Sequence, residues 1–272
     1  MSKLFLVATP IGNLEDLTFR ALRILKEVPL IAAEDTRTSR VLLDHYQIDT
    51  ALTAYHDHNK ETKTRMLLDH LAEEDLALIS DAGTPGINDP GYVLVREALR
   101  EAHQVIPVPG PSAPIAALSA SGLPTDRFIY LGYLPRKSHS RKELFEQVKD
   151  QPWTLVCLET PHRLLDSLED CQAVLGNREI LVARELTKLH EELLRGSISF
   201  AREHFKKRPP KGEITLVIAG ADPDQTWSES LLQEELERGL AKGELKPSQL
   251  AKKLAAQSGW PRKKIYDLIQ NR

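Results

Sequence analysis

Cysteine is nearly absent: Cys157 and Cys171 are the only two in 272 residues. They show no C-x-x-C spacing, which excludes a disulfide scaffold or a cysteine-based zinc module and fits a reduced, cytoplasmic protein. Long apolar runs are missing too. None approaches the roughly 20 residues that cross a bilayer, and the opening Met1–Pro10 is too short for a secretion signal, so its apolar part reads as a first strand and no membrane partner is expected. A strong charge of either sign is lacking; the net charge is −3, which argues against a uniformly basic nucleic-acid binder. No G-x-G-x-x-G or Gly-Lys-Ser/Thr loop occurs, which weakens dinucleotide and nucleoside-triphosphate readings. There is no low-complexity tract or solenoid repeat. His56 and His58 flank Asp57, but no third ligand stands at motif spacing, so no metal is expected.

What is present is a globular composition, 41% hydrophobic and 28% charged, long enough for two cores. Apolar runs at Leu4–Ala8, Leu30–Ala33, Leu76–Ile79 and Val105–Val108 alternate with helical periodicity such as Leu17, Ala21, Leu22 and Leu25. That alternation predicts a parallel, helix-flanked sheet. A second series follows Pro124, at Phe128–Tyr133, Thr154–Leu158, Ile180–Ala183 and Ile214–Ala219. After Pro223 only helical spacing remains. The expected organisation is α/β: an N-terminal α/β domain over 1–119, a second over 120–223 and a helical extension over 224–272. From Lys246 onward the chain carries seven Lys or Arg against one acid, Asp267. Such segregation points to a local polyanion contact, although each basic cluster alone is ordinarily a solvated surface. Two more basic clusters lie at Arg136–Lys142 and Lys206–Lys211.

The chemistry concentrates in loops at strand ends. The run Ser80–Gly91 follows an apolar strand and precedes a helix. Gly83, Gly86 and Gly91 permit positive φ and close backbone approach, Pro85 and Pro90 restrict the chain, and Asp81 and Asp89 supply acceptors. Surface turns use the same residues. A second loop of similar build, Pro107–Ala113, favours one shared ligand site at the carboxyl ends of the strands. Ala33–Arg40 adds Glu34, Asp35 and Arg37 where the second strand meets its helix; helix capping by Asp35 or Thr36 is the plain alternative.

Read in order, Thr9-Pro-Ile-Gly-Asn-Leu14, Ala33-Glu-Asp-Thr-Arg37, Ser80-Asp-Ala-Gly-Thr-Pro85 with Asp89-Pro-Gly91, and Pro109-Gly-Pro-Ser-Ala113 resemble the tetrapyrrole methylase superfamily. The likeness continues through Ser121–Pro124, Gly132–Pro135, Glu159–Arg163, Arg184–Lys188 with Glu191 and Glu192, and Lys211–Val217. Within that superfamily it is similar to the members that methylate small-subunit ribosomal RNA. The resemblance implies two α/β domains of the tetrapyrrole methylase type with the cofactor, S-adenosyl-L-methionine, in the cleft between them. It implies 2′-O-methylation of a cytidine ribose in the decoding region of 16S ribosomal RNA, as naked RNA or in the small ribosomal subunit, by a homodimer. Two departures stand out: Asn88 where Ser is expected, and Cys157-Leu158 where an aromatic residue commonly precedes the Glu.

On this reading the main chain of Asp81, Ala82, Gly83 and Thr84 and of Gly110, Pro111, Ser112 and Ala113 holds the cofactor. Pro10 closes one side, and Leu131 and Gly132 form the opposing wall. A general base for the ribose hydroxyl is sought among Glu34, Asp35, Glu159 and His162. Arg37, Arg163, Arg184 and Lys188 would hold phosphates or orient acids. RNA contacts are expected from Arg136, Lys137 and Arg163, and from Arg262, Lys263 and Lys264 beside Trp260 and Tyr266. Two alternatives remain: a methylase of a tetrapyrrole or other small substrate, and a noncatalytic RNA-binding assembly factor.

Overall fold

The computed structural model describes residues 2–89, 91–222, 229–242 and 245–270. The first sheet is built from β1 (Lys3–Val7), β2 (Leu30–Ala33), β3 (Ala51–Ala54), β4 (Leu76–Ile79) and β5 (Gln104–Val108), in the order β3-β2-β4-β1-β5. All its pairings are parallel. Parallel strands need crossovers, and helices α1 (Phe19–Glu27), α2 (Thr36–His45), α3 (Lys60–Leu71) and α4 (Gly91–Arg100) provide them. Because helices cover both faces, β4 is apolar at each position and wholly buried. Helix α1 starts where Thr18 Oγ1 accepts from Ala21 N at 3.1 Å, and it turns Ala21, Ile24 and Leu25 inward at helical spacing.

The adjacent strands β4 and β1 send their next connections towards opposite edges of this sheet, β4 towards β5 and β1 towards β2. With right-handed crossovers, the following helices fall on opposite faces and leave a crevice at the carboxyl ends. The sequence places its loops there.

After α5 (Ala113–Ala120) the second sheet begins: β6 (Phe128–Tyr133), β7 (Thr154–Glu159), β8 (Glu179–Arg184), β9 (Glu192–Ser197) and β10 (Ile214–Ile218), ordered β6-β7-β10-β8-β9. It is mixed, with β6 and β7 parallel and the remaining pairs antiparallel. Its centre, β10, is buried throughout. Helices α6 (Ser138–Val148), α7 (Leu164–Leu175) and α8 (Ile198–Lys207) pack on it around Phe145, Leu168, Cys171 and Phe205. Both cysteines are free and buried.

The two sheets form one compact unit, 1–149 with 153–219; residues 150–152 and 220–272 form another. In the second unit, α9 (Glu229–Lys242), α10 (Pro247–Ser258) and α11 (Arg262–Gln270) bury Leu232, Leu236, Leu250, Leu254, Ile265 and Ile269 together.

Candidate active site

The loops after β1, β4 and β5 are fastened to one another. Thr9 N donates to Gly83 O at 2.9 Å and Gly83 N donates back to Thr9 O at 3.0 Å. Thr9 Oγ1 donates to Ser80 O at 3.1 Å, and Thr84 Oγ1 donates to Pro111 O at 3.3 Å. Asp89 closes the rigid turn by accepting from Gly86 N and Gly91 N, both at 2.8 Å. Positive φ occurs at Gly83 and Gly86; Gly91 opens α4 without it.

This platform faces the second sheet across a cleft of about 120 Å³. Ala82, Gly83, Thr84, Ser112 and Ala113 line one side, and Tyr130, Tyr133, Leu158 and Thr215 line the other. The N–H groups of Ala82, Thr84, Ser112 and Ala113 meet no acceptor among the described residues. Unpaired donors beside apolar walls suit a small ligand with acceptor atoms, and those of Ser112 and Ala113 open the α5 helix, where an anionic group is favoured. Leu131 and Gly132 are not among the residues that line this cleft, and a Cβ on Gly132 would meet Asn88. Leu131 packs on the core of the second sheet, and the flanking Tyr130 and Tyr133 meet the cleft instead. Burial pushes the Tyr130 hydroxyl up to about 12, and it donates to Asn88 Oδ1 at 2.7 Å. Asn88 has a φ of 64°, a conformation Asn tolerates better than most residues, which gives the departure at this position a physical reason. Leu158, the other departure, lines the cleft.

A second pocket, about 370 Å³, shares Ile11, Ala82 and Glu213 with the first. Pro10 and Asp81 line it, with α2 as its far wall. Ser39 on α2 is 4% exposed, and its hydroxyl has no partner among the described residues. Gly110 and Pro111 edge a separate recess with Thr187.

The acids cluster beside this pocket. Asp35 N donates to Asp81 Oδ1 at 2.9 Å, and Asp81 N points at Glu34 Oε2 from 3.5 Å. Burial and then the neighbouring Asp81 raise the Glu34 carboxyl above its ordinary value. Burial likewise raises Asp81 despite the N–H of Asp35. Asp35 behaves oppositely: hydrogen bonds from Arg37 lower it to about 2. It also caps α2, accepting from Arg37 N at 2.8 Å, so the capping alternative is realised. Arg37 bonds Asp35 at 2.7 Å and is otherwise open to solvent.

Lys188 reaches the same pocket, held between Glu185 at 2.9 Å and Glu213 at 3.2 Å. Burial alone would lower its ammonium, but these two acids outweigh that and raise it. A Cβ on Gly12 would clash with Lys188 Cγ, so the first-strand loop needs glycine to approach this turn.

Glu159 is in another state. Its side chain is 0% exposed, it pairs with Arg163 at 2.5 Å, and it accepts from Thr160 N at 2.7 Å and from Ser167 Oγ. With both oxygens engaged and the side chain closed off from solvent, its placement is that of an anchor for Arg163. Arg163 in turn donates to Leu134 O at 3.1 Å and Thr160 Oγ1 at 3.1 Å, which leaves little of its guanidinium for RNA. His162 is exposed in the turn after β7. Arg184 is bound to Glu192 at 2.9 Å. Arg136 and Lys137 are exposed before α6. Arg262, Lys263 and Lys264 are exposed on α11, where Lys264 lies 4.3 Å from the Trp260 ring centre.

Tyr130, Tyr133, Ile11, Ser39 and Thr215 were not singled out from sequence as site residues. The bulge of β6 between Tyr130 and Tyr133 turns both tyrosines to the cleft, and strand alternation gives no warning of a bulge. Glu213 lay within a recognised block, but its part in the pocket comes from the loop preceding β10.

The sequence profile described as Tetrapyrrole (Corrin/Porphyrin) Methylases matches residues 3–201. A protein of Halalkalibacterium halodurans named Ribosomal RNA small subunit methyltransferase I is 46% identical over 271 residues, 97% of this chain and 93% of the relative. A protein of the same name from Thermotoga maritima is 47% identical over 223 residues, 82% of this chain and 100% of the relative. Among solved structures, the uroporphyrin-III C-methyl transferase of Thermus thermophilus complexed with S-adenosylhomocysteine has a TM-score of 0.55 at 24% identity, over 79% of this chain and 97% of that one. That likeness shows a shared fold. By profile, by near full-length identity and by fold, this chain belongs to the tetrapyrrole methylase family, with the ribosomal RNA small subunit methyltransferase I proteins as its relatives.

Proposed function

We propose that this protein is an S-adenosylmethionine-dependent methyltransferase acting on the ribose 2′-hydroxyl of a cytidine in the decoding region of small-subunit ribosomal RNA. The observation that carries the reading is near full-length identity to relatives of that name, joined to two pockets that meet at Ile11 and Ala82. Two adjoining pockets suit a reaction with two reactants.

The cleft with unpaired amides, between the loops of Ala82–Thr84 and Ser112–Ala113 and the tyrosines of β6, would hold the cofactor. Bound there, S-adenosylmethionine supplies an activated methyl group on a sulfonium, so no metal is demanded. The chain's own task is to position the acceptor hydroxyl and take its proton. The pocket against α2 would receive the target nucleotide. Within it, Ser39 offers an unused hydroxyl to a base edge or ribose. Glu34 is our choice of general base: it is half-buried, raised and not saturated by hydrogen bonds. Lys188 and Glu213 would orient the sugar-phosphate. A looped or single-stranded target presents its ribose and base more readily than a continuous A-form helix. We also take the protein as a cytoplasmic homodimer. Family resemblance supports the pairing, and two free buried cysteines accord with a reducing compartment.

The test is to incubate the protein with labelled S-adenosylmethionine and small ribosomal subunits lacking the modification, then to map the label in digested RNA by mass spectrometry. Label on one cytidine ribose is expected. Absence of transfer to subunits and to naked RNA, with cofactor binding demonstrated, would overturn the RNA reading in favour of a small acceptor.

A further inference from the structure

A groove of about 780 Å³ lies along the turn joining β8 to β9 and the segment after α8. Its lining is balanced in formal charge, but its acids and its cations differ in how far they are tied down. Each of the three acids accepts a hydrogen bond, and two of them, Glu185 and Glu192, are paired with a cation. Glu192 accepts from Arg184 at 2.9 Å and bonds His204 at 2.8 Å; Glu185 accepts from Lys188 at 2.9 Å and from Glu213 N at 3.0 Å; Glu191 accepts from Thr187 N at 2.7 Å. By contrast, the side chains of Arg208, Lys211 and His190 are exposed and have no partner among the described residues. Two consecutive prolines, Pro209 and Pro210, fix the backbone between Arg208 and Lys211. Leu189, at the rim, is 92% exposed and offers an apolar edge.

Both walls of this groove continue into the acceptor pocket. Along one, Leu189 and His190 follow Lys188; along the other, Lys211 precedes Gly212 and Glu213. Lys188 and Glu213 line that pocket and pair at 3.2 Å. The Lys188–Glu213 pair spans the junction, so a strand with a nucleotide in the pocket reaches the groove's unpaired cations by passing over that pair. Unpaired arginine and lysine on a proline-restricted segment beside an apolar edge match a phosphate chain carrying exposed bases.

The geometry points to this groove as the binding path for the single-stranded RNA next to the target nucleotide, with Arg208 and Lys211 contacting its phosphates and Leu189 and His190 its bases. This inference rests on the reading of the protein as an RNA methyltransferase. Its contacts position the RNA and take no part in the chemistry.

The test compares full-length wild type with Arg208→Gln/Lys211→Gln on unmodified small ribosomal subunits across a salt series. The double variant is expected to raise KM for subunits about ten-fold and to flatten the slope of log affinity against log salt by about 1.4, the loss of two single-strand phosphate contacts. Its kcat and cofactor affinity should stay at wild-type values, which separates lost docking from misfolding. Arg20→Gln/Lys26→Gln, which removes the same charge from exposed positions on α1, should leave KM unchanged. If wild type methylates subunits and the Arg208/Lys211 variant keeps both KM and salt slope, the groove assignment is overturned while the function stands. If the α1 control raises KM equally, net charge explains the effect and the assignment also falls. Wild type that methylates no RNA removes both.

Discussion

Glu34 and Glu159 carry the same carboxylate in opposite circumstances. Glu159 is fully buried, with Arg163, Thr160 and Ser167 on its two oxygens. Glu34 is half-buried near Asp81 with hydrogen-bonding capacity to spare. Replacing Glu159 by Gln should therefore act on stability: it leaves the Arg163 guanidinium without its counter-charge, a loss of about 3–5 kcal/mol, readable as a lowered denaturation midpoint. Glu34→Gln should act on rate, lowering kcat by roughly 10²- to 10⁴-fold with cofactor affinity retained. The sign of its pH dependence follows from the raised carboxyl. A general base works ionised, and burial beside Asp81 delays ionisation, so the acid limb of kcat lies above the ordinary value of 4.5. That limb should vanish in the residual activity of Glu34→Gln. An unchanged kcat for this variant would remove Glu34 from the chemistry.

At the scale of elements, strand β6 shows what the chain encodes openly and what it conceals. Its bounds, Phe128–Tyr133, are legible because five of its six residues are strand-forming or apolar, Gly132 being the exception. So were β2 and β4, whose all-apolar runs follow from burial on both faces. Strands β3 and β9 were not: Ala51–Ala54 and Glu192–Ser197 are sheet edges, partly exposed and without a clean apolar repeat. The loops at the strand ends of the first sheet are legible from their Gly, Pro and Asp content, but the tyrosines opposite them are not, because the register shift inside β6 turns on tertiary contacts. Gly132 makes that shift possible. Its φ is 65°, and a Cβ there would stand 2.9 Å from Asn88 Nδ2. Gly132→Ala should cost about 1–2 kcal/mol of backbone strain and displace Asn88 from Tyr130, so the tyrosine loses its seat at the cleft. Calorimetry with S-adenosylhomocysteine should show roughly ten-fold weaker binding if about 1.4 kcal/mol of that reaches the ligand. Wild-type affinity would mean that the bulge has no part in holding the cofactor.

Across the whole molecule, identity to the Thermotoga relative takes in all of that protein but 82% of this chain, so a methyltransferase of the family exists without a counterpart for the remaining part. Both sheets and both pockets lie in the compact unit of 1–149 and 153–219. The helical unit has its own core, and its basic residues Arg262, Lys263 and Lys264 are exposed on α11 while Ile265 and Ile269 face inward. Reversing exposed charges leaves the apolar residues of that core in place, at the cost of the Lys264 contact with Trp260. Its effect on a polyanion partner is large, because each lost cation becomes a repulsion. Lys263→Glu/Lys264→Glu should thus weaken affinity for unmodified small ribosomal subunits about ten-fold at moderate salt and flatten its salt dependence. S-adenosylhomocysteine affinity should be unaltered, because the cleft belongs to the other unit. Unchanged subunit affinity would assign the tail a role other than RNA contact. A parallel fall in cofactor affinity would mean that the helical unit supports the fold of the catalytic body and does not grip a substrate.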